Sequence, residues 1–266
     1  MNFRNGVFPR IKSLKPGGLL AVGTAVLVLL LAGCSGRDTL QYKDRTVEEI
    51  YDWAMGYMEK GQYRYAAVAF DEVERQHPYS SWARRAQLMS AYAYYMANKY
   101  EEAILAAERF ISLHPGNKDV AYAYYLVGIS YYEQIADVRR DQKTTEQALA
   151  ALAEVVRRFP QSEYARDARL KIDLAQDHLA GKEMEVGRFY QKTGEFMAAI
   201  NRYKTVVEKY QTTSHVPEAL HRMVEVYLSL GIIPEAQKAA AVLGYNYPKS
   251  KWYARSYDLM QQYGNK

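Results

Sequence analysis

The chain offers one thiol for chemistry. Cys34 is the single cysteine in 266 residues, and it closes the run Leu31-Ala32-Gly33-Cys34. A branched apolar residue, two small residues and Cys form the pattern of a bacterial lipobox. The small residues let an extended backbone enter a peptidase cleft. The thiol is the strong nucleophile that accepts a diacylglycerol group. The preceding residues agree. Arg4, Arg10, Lys12 and Lys15 make a basic start with no acidic residue, and Gly17 to Leu31 make an apolar run. That run is about 15 residues long, short of the roughly 20 a membrane span needs. Residues 1–33 are therefore expected to be a cleaved signal peptide, with Cys34 the lipidated first residue of the mature chain. Two or three acyl chains on it would attach the protein firmly to a membrane. Ser35 follows the lipidated position, which in lipoproteins of this kind is associated with the outer membrane.

No other set of side chains reads as catalytic. The histidines are His77, His114, His178, His215 and His221. His77 and His114 each precede a Pro at the end of a helical stretch, where an imidazole meets the negative end of the helix dipole. His215 and His221 are six residues apart and lack the carboxylate–His pattern of a zinc site. Gly181-Lys182 has Gln176 where a phosphate loop needs Gly. No Gly-x-Ser-x-Gly occurs. Glu101-Glu102 and Glu183 with Glu185 lie in helical stretches and read as solvated faces. The expectation is a protein with no enzymatic activity, no metal and no cofactor. Cleavage before Cys34 removes four of the 35 Lys+Arg and none of the 30 Asp+Glu. The mature chain is then near neutral, and the sequence pI of about 9.0 gives no support to a nucleic-acid partner.

The elements around these residues are helices. From Ser35 to about Arg45 the chain is polar, and residues 34–45 read as a lipidated tether. Beyond it, Pro and Gly punctuate segments rich in Ala, Tyr, Glu, Arg and Leu, a helix-after-helix pattern. Internal repeats decide the architecture. Ala54, Tyr57, Ala66, Phe70 and Pro78 recur 37 residues later as Ala91, Tyr94, Ala103, Ala107 and Pro115. A third copy has Gly128, Tyr131, Ala148, Leu152 and Pro160, with eight residues inserted between its helices. A fourth has Gly187, Tyr190, Ala199 and Tyr203, with Gln211 in place of Pro. A fifth has Val224, Tyr227, Ala236, Ala240 and Pro248.

This spacing resembles the tetratricopeptide (TPR) pattern. The small residue lets helix A approach helix B, the Ala returns the contact, Tyr fills the crevice between repeats and Pro closes helix B. Lys60-Gly61-Gln62, Asn98-Lys99, Thr193-Gly194 and Gly231 fall between A and B helices. Pro78-Tyr79-Ser80-Ser81-Trp82, Pro160-Gln161-Ser162-Glu163-Tyr164 and Pro248-Lys249-Ser250-Lys251-Trp252 share Pro-x-Ser-x-aromatic, with Ser placed to cap a helix. The expected fold is all-α: a right-handed superhelical solenoid of five TPR helix pairs with a C-terminal capping helix, about Ser250 to Tyr263. Residues 46–161 would hold repeats one to three, and residues 162–266 repeats four and five with the cap. A long helix from Ser162 to Lys192, weakened near Gly181, would join the two groups.

Tyrosine is in surplus, 25 in all. Counting along each A helix, the positions facing the concave surface hold Tyr51, Met55 and Met58 in the first repeat. They hold Leu88, Tyr92, Tyr95 and Met96 in the second, and Tyr122, Tyr125, Ile129 and Tyr132 in the third. In the last two repeats they are polar: Arg188, Gln191, Lys192, Glu218 and Glu225. Tyr gives contact area at low entropy cost and keeps a polar tip, and Met adapts to varied partners. The N-terminal half is thus expected to present a groove for an extended, aromatic-containing peptide.

The stretches Gly61-Gln62-Tyr63-Arg64-Tyr65-Ala66, Ala91-Tyr92-Ala93-Tyr94-Tyr95, Arg109-Phe110-Ile111-Ser112-Leu113-His114-Pro115 and Ala199-Ile200-Asn201-Arg202-Tyr203 resemble the BamD family, also called ComL or YfiO. The lipobox, the repeats, the insertion and the linking helix extend the resemblance over the whole mature chain. It implies a lipid-anchored outer-membrane protein facing the periplasm, a scaffold in the outer-membrane β-barrel assembly (BAM) complex. The implied partners are BamA through a periplasmic POTRA domain, accessory BAM lipoproteins, and unfolded outer-membrane β-barrel proteins. A family Arg that contacts BamA falls on Arg202, in Ile200-Asn201-Arg202. A Trp-Arg pattern associated with regulating substrate engagement reads Tyr63-Arg64 here, which carries that role to Arg64. A family Tyr before the first repeat's Pro is His77 here, so no substrate contact is carried to that position. The competing expectation is another periplasmic TPR lipoprotein, such as a pilotin escorting a pilus secretin, which would lack the insertion and the linking helix.

Overall fold

The computed structural model describes residues 45–137 and 142–264. Cys34, the expected signal peptide and most of the expected tether lie outside them. The described residues form eleven α-helices and no strand: α1 (Val47–Glu59), α2 (Tyr63–Gln76), α3 (Ser81–Met96), α4 (Tyr100–Leu113), α5 (Val120–Glu133), α6 (Lys143–Arg158), α7 (Glu163–Thr193), α8 (Phe196–Lys209), α9 (Val216–Ser229), α10 (Ile233–Asn246) and α11 (Lys251–Gly264). None of them is long and apolar enough to cross a membrane.

Local chemistry sets the helix ends. Thr46 and Glu49 form a capping box at α1, each side chain accepting from the other's backbone N–H. Ser80, Ser162 and Ser250 accept from Trp82 N, Ala165 N and Trp252 N at 3.1, 3.1 and 3.2 Å, so the repeated Ser does cap the helices. Four turns share one geometry. Gly61, Asn98, Gly194 and Gly231 all have positive φ, between 56° and 84°. The N–H of the next residue then donates back to a tyrosine carbonyl: Gln62 to Tyr57, Lys99 to Tyr94, Glu195 to Tyr190 and Ile232 to Tyr227, at 2.8–2.9 Å. This six-to-one bond satisfies a carbonyl that the helix end leaves orphaned. The connection from α5 to α6, where the insertion falls, has no such turn among its described residues.

The packing repeats as well. Ala66, Ala103, Ala148, Ala199 and Ala236 are all fully buried, and seven residues on Val73, Phe110, Val155, Val206 and Leu243 are buried beneath them. The small residue of helix A meets helix B closely. A Cβ on Gly128 would come within 2.7 Å of the Leu152 side chain, and one on Gly187 within 2.5 Å of the Tyr203 ring. Each helix packs on the next, and α11 packs on both α9 and α10. The expected long helix is present as α7, with 31 residues. It is not interrupted at Gly181, which is buried in a continuous helix. Its N-terminal part joins the apolar cluster of α3 to α6 through Ala168, and its C-terminal part joins that of α8 to α10 through Ala180 and Met184.

Candidate functional site

One face of α3, α5 and the start of α7 carries a chain of aromatic contacts. Tyr92 of α3 lies 6.4 Å from Tyr122 of α5, between ring centroids. Tyr122 lies 5.2 Å from Tyr164 of α7, and Tyr125 stacks on Tyr164 at 5.4 Å. Leu88, Tyr92, Tyr95, Tyr122, Tyr125 and Tyr132 all border the same apolar cluster and are all half-buried. Their spacing explains this. Leu88, Tyr92 and Tyr95 share one face of α3, and Tyr122, Tyr125 and Tyr132 share one face of α5.

Two of the hydroxyls are held by acidic neighbours. Tyr125 donates to Asp167, and Tyr95 donates to Glu133 Oε1 at 3.5 Å. Lys171 Nζ stands 4.8 Å from the centre of the Tyr132 ring. Burial, with the Glu133 charge beside it, pushes the Tyr95 hydroxyl up to about 12. Burial also raises Tyr122 and Tyr125. All three stay protonated at any physiological pH, and Tyr95 and Tyr125 act as hydrogen-bond donors.

Two expectations are corrected. Tyr51, read as a groove residue, is only 6% exposed. Its ring packs on Phe70 at 5.3 Å and Trp82 at 4.8 Å, because Trp82 of the following repeat covers that face. Ile129 is likewise buried in the core. Met55 stays half-buried on α1, but it does not join the tyrosine chain. Tyr164 belongs to the chain and was not among the expected residues. Its signal was the Pro-x-Ser-x-aromatic echo, since Trp82, Tyr164 and Trp252 all reach back onto an earlier A helix.

The C-terminal half carries a linked polar network on α7 and α9. Arg188 pairs with Glu218 at 3.1 Å and with Glu185 at 2.6 Å. Arg222 reaches Glu225 at 2.9 Å and Glu218 at 3.4 Å. Gln191 donates to Glu225 at 3.0 Å and accepts from the buried Tyr203 hydroxyl at 2.8 Å. His221 joins through Glu225 at 3.3 Å, and its Nδ1 shares a hydrogen with Ser256 of α11 at 2.8 Å. Trp252 lies against His221, with Arg222, Lys251 and Arg255 each within 6 Å of its ring centre.

Arg202 is exposed on α8, and its Nη1 pairs with Glu183 of α7 at 3.1 Å. Arg64 is exposed at the start of α2. His77 and His114 sit at the ends of α2 and α4, but their rings bond elsewhere: Nε2 lies 2.8 Å from the Arg45 carbonyl and from Gln87 Oε1, respectively. No cluster of His, Cys, Asp and Glu able to hold a metal exists among the described residues.

Residues 43–243 match the YfiO family, described as outer membrane lipoprotein. The chain is 52% identical over 248 residues to the outer membrane protein assembly factor BamD of Caulobacter vibrioides, covering 92% of this chain and 81% of that one. It is 45% identical over 240 residues to the BamD of Rickettsia prowazekii, covering 90% and 96%. A solved thermophilic TPR protein of Thermus thermophilus overlaps 80% of this chain and 98% of its own, at 19% identity and a TM-score of 0.37. The family match spans the helices from α1 into α10, and the BamD identity runs over nine-tenths of the chain: the protein belongs to the YfiO family of outer membrane lipoproteins.

Proposed function

We propose that this chain is a non-enzymatic adaptor of the BAM complex, held at the periplasmic face of the outer membrane by lipid on Cys34. Its relatives at 52% and 45% identity are named as outer membrane protein assembly factors, which supports the reading. In it, α1 to α10 form five TPR pairs in a right-handed superhelix and α11 is the cap. The four matching turns and the five matching alanines support that count. Residues 46–161 face unfolded outer-membrane β-barrel proteins. Residues 162–266 face BamA, through its periplasmic POTRA domain, with Arg202 in the contact and accessory lipoproteins attached to the same scaffold. Arg64 regulates substrate engagement.

The observation that carries the proposal is the tyrosine chain from Tyr92 to Tyr164. Its rings offer apolar faces, and the Tyr95 and Tyr125 hydroxyls, whose protons go to Glu133 and Asp167, keep oxygen lone pairs as acceptors, which suits a segment that is unfolded, aromatic and rich in unpaired backbone N–H groups. Replacing Tyr92 and Tyr95 together with Ala should weaken binding of barrel-derived peptides about tenfold or more, the scale of two interface aromatics. BamA binding should stay unchanged. An equal loss of both activities would make the pair structural instead.

The direct experiment is a mild-detergent pulldown of the lipidated protein followed by mass spectrometry, with Cys34→Ala as the anchoring control. BamA should be recovered in near-equal amount. Arg202→Glu should reduce that recovery about tenfold, as expected for reversing one interfacial charge, with helicity and melting temperature preserved. Recovery of a secretin without BamA would replace this proposal with the pilotin reading.

A further inference from the structure

One rim of the tyrosine groove collects an excess of positive charge among the described residues. A cleft there is lined by Arg84, Arg85 and Leu88 of α3, His114 at the end of α4, and Lys118 and Asp119 before α5. Three cations face one carboxylate. Among the described residues, neither Arg84 nor Lys118 has an ion-pair or hydrogen-bond partner, and both are exposed. Arg85 lies 5.9 Å over the Tyr51 ring and pairs with no acid among the described residues. Several arginines elsewhere are paired with acids: Arg109 with Glu74, Arg188 with Glu185 and Glu218, Arg202 with Glu183, and Arg222 with Glu218 and Glu225.

The helix ends add to this field. Arg84 is the fourth residue of α3, at the positive end of its dipole, and neither α3 nor α5 has an acidic residue in its first turn. By contrast α1, α4 and α7 all place Glu there. Cations at a helix N-terminus are unfavourable, and an anion placed between them relieves the repulsion. The wall of the cleft is fixed, because His114 and Gln87 tie α4 to α3 at 2.8 Å.

The cleft is continuous with the groove. Arg84, Leu88, Tyr92 and Tyr95 fall on one face of α3 at helical spacing, and Leu88 lines both the cleft and the tyrosine cluster. We propose that Arg84 and Lys118, with Arg85 beside them, seat a carboxylate of the peptide whose aromatic side chains lie on Tyr92 and Tyr122. This rests on the peptide-binding reading above. A peptide is the occupant because the charge lies at the end of an aromatic track rather than on an isolated patch. The seat would fix the direction in which a segment lies in the groove, since Lys171, the cation beside Tyr132 toward the other end of the track, is already paired with Asp167 at 3.7 Å.

The test uses the full mature chain and two dye-labelled, C-terminally amidated ten-residue peptides alternating Phe or Tyr with Thr. One carries a single Asp near the unlabelled end and the other carries Asn there. Fluorescence anisotropy should show the Asp peptide binding about tenfold more tightly, the step expected of one charge-assisted hydrogen bond. Arg84→Glu with Lys118→Glu should abolish that preference and leave the Asn peptide unaffected. Both positions are exposed, so helicity should be retained. Equal binding of the two peptides to the unaltered protein would overturn the seat. So would millimolar inorganic phosphate binding there while the Asp preference is absent, which would make it a phosphate site. If Tyr92→Ala with Tyr122→Ala left both peptides bound as before, with the fold intact by circular dichroism, the groove reading itself would fall. Weakening of both peptides by the tyrosine variant, with no effect of the charge reversal, would remove the seat alone.

Discussion

Replacing Tyr203 with Ala is expected to lower stability by about 3–5 kcal/mol, the cost of emptying a large aromatic site in a packed core. Tyr203 is fully buried, and three of its ring atoms lie where a side chain on Gly187 would begin. Its hydroxyl donates to Gln191 at 2.8 Å, so the truncation also leaves a partner unmet in the polar network. The remedy open to most cores, inward collapse, is limited here because α7 and α8 already touch through a glycine. Gly187→Ala alone should cost about 1–3 kcal/mol by overpacking. Together the two changes should cost less than their sum, because the new methyl enters the vacated space. Urea unfolding followed by circular dichroism measures both. Since each pair in a solenoid touches only its neighbours, hydrogen exchange should quicken in α8 to α11 and stay unchanged in α1 to α4. A loss under 1 kcal/mol, or faster exchange along the whole chain, would contradict this account of the α7–α8 contact.

Much of this packing is written in local spacing. Ala66, Ala103, Ala148, Ala199 and Ala236 hold the same position in the repeat pattern, and all five are fully buried. The turn residues Gly61, Asn98, Gly194 and Gly231 were legible for a similar reason, because positive φ restricts the residue type. Helical periodicity tells which face a residue occupies, but it does not tell what covers that face. Tyr51 has the inward phase of Tyr92 and yet is core, because Trp82 lies on it, whereas Tyr92 is met by the edge of Tyr122. Tyr164 was recognised only as part of a helix-start motif. Its second role depends on α7 crossing the end of α5, a contact about 40 residues away in the chain. The cationic rim has the same character, since Arg84 and Lys118 are brought together by the turn between α4 and α5. The Gly181 expectation failed because burial on both sides outweighs the modest helix penalty of one glycine, about 1 kcal/mol.

The polar network in the C-terminal half has a consequence for acid stability. Burial alone would raise the Glu225 carboxyl. Hydrogen bonds from His221 and Gln191 and the charge of Arg222 more than reverse this, holding it at about 2 against an ordinary 4.5. The groups facing it are His221 and Arg222 from α9 and Gln191 from α7, with Arg188 and Glu218 one bond further out. A folded value below the unfolded one means the ionised form favours folding. The contribution is complete above pH 4.5 and is lost as pH falls from there toward 2. Full protonation removes about 3 kcal/mol, and about 2 kcal/mol of that has gone by pH 3. Glu225→Gln keeps the shape and removes the charge, so the stability gap between the unaltered protein and this variant should be widest near pH 6. It should narrow by about 2 kcal/mol on moving to pH 3. The same titration should loosen α11, because His221 bridges Glu225 to Ser256 and α11 packs on α9 and α10. A gap that stays constant from pH 6 to pH 3 would mean that Arg222 and His221 find other partners when Glu225 is neutral. The network would then be a surface ion cluster rather than the latch between α7, α9 and α11.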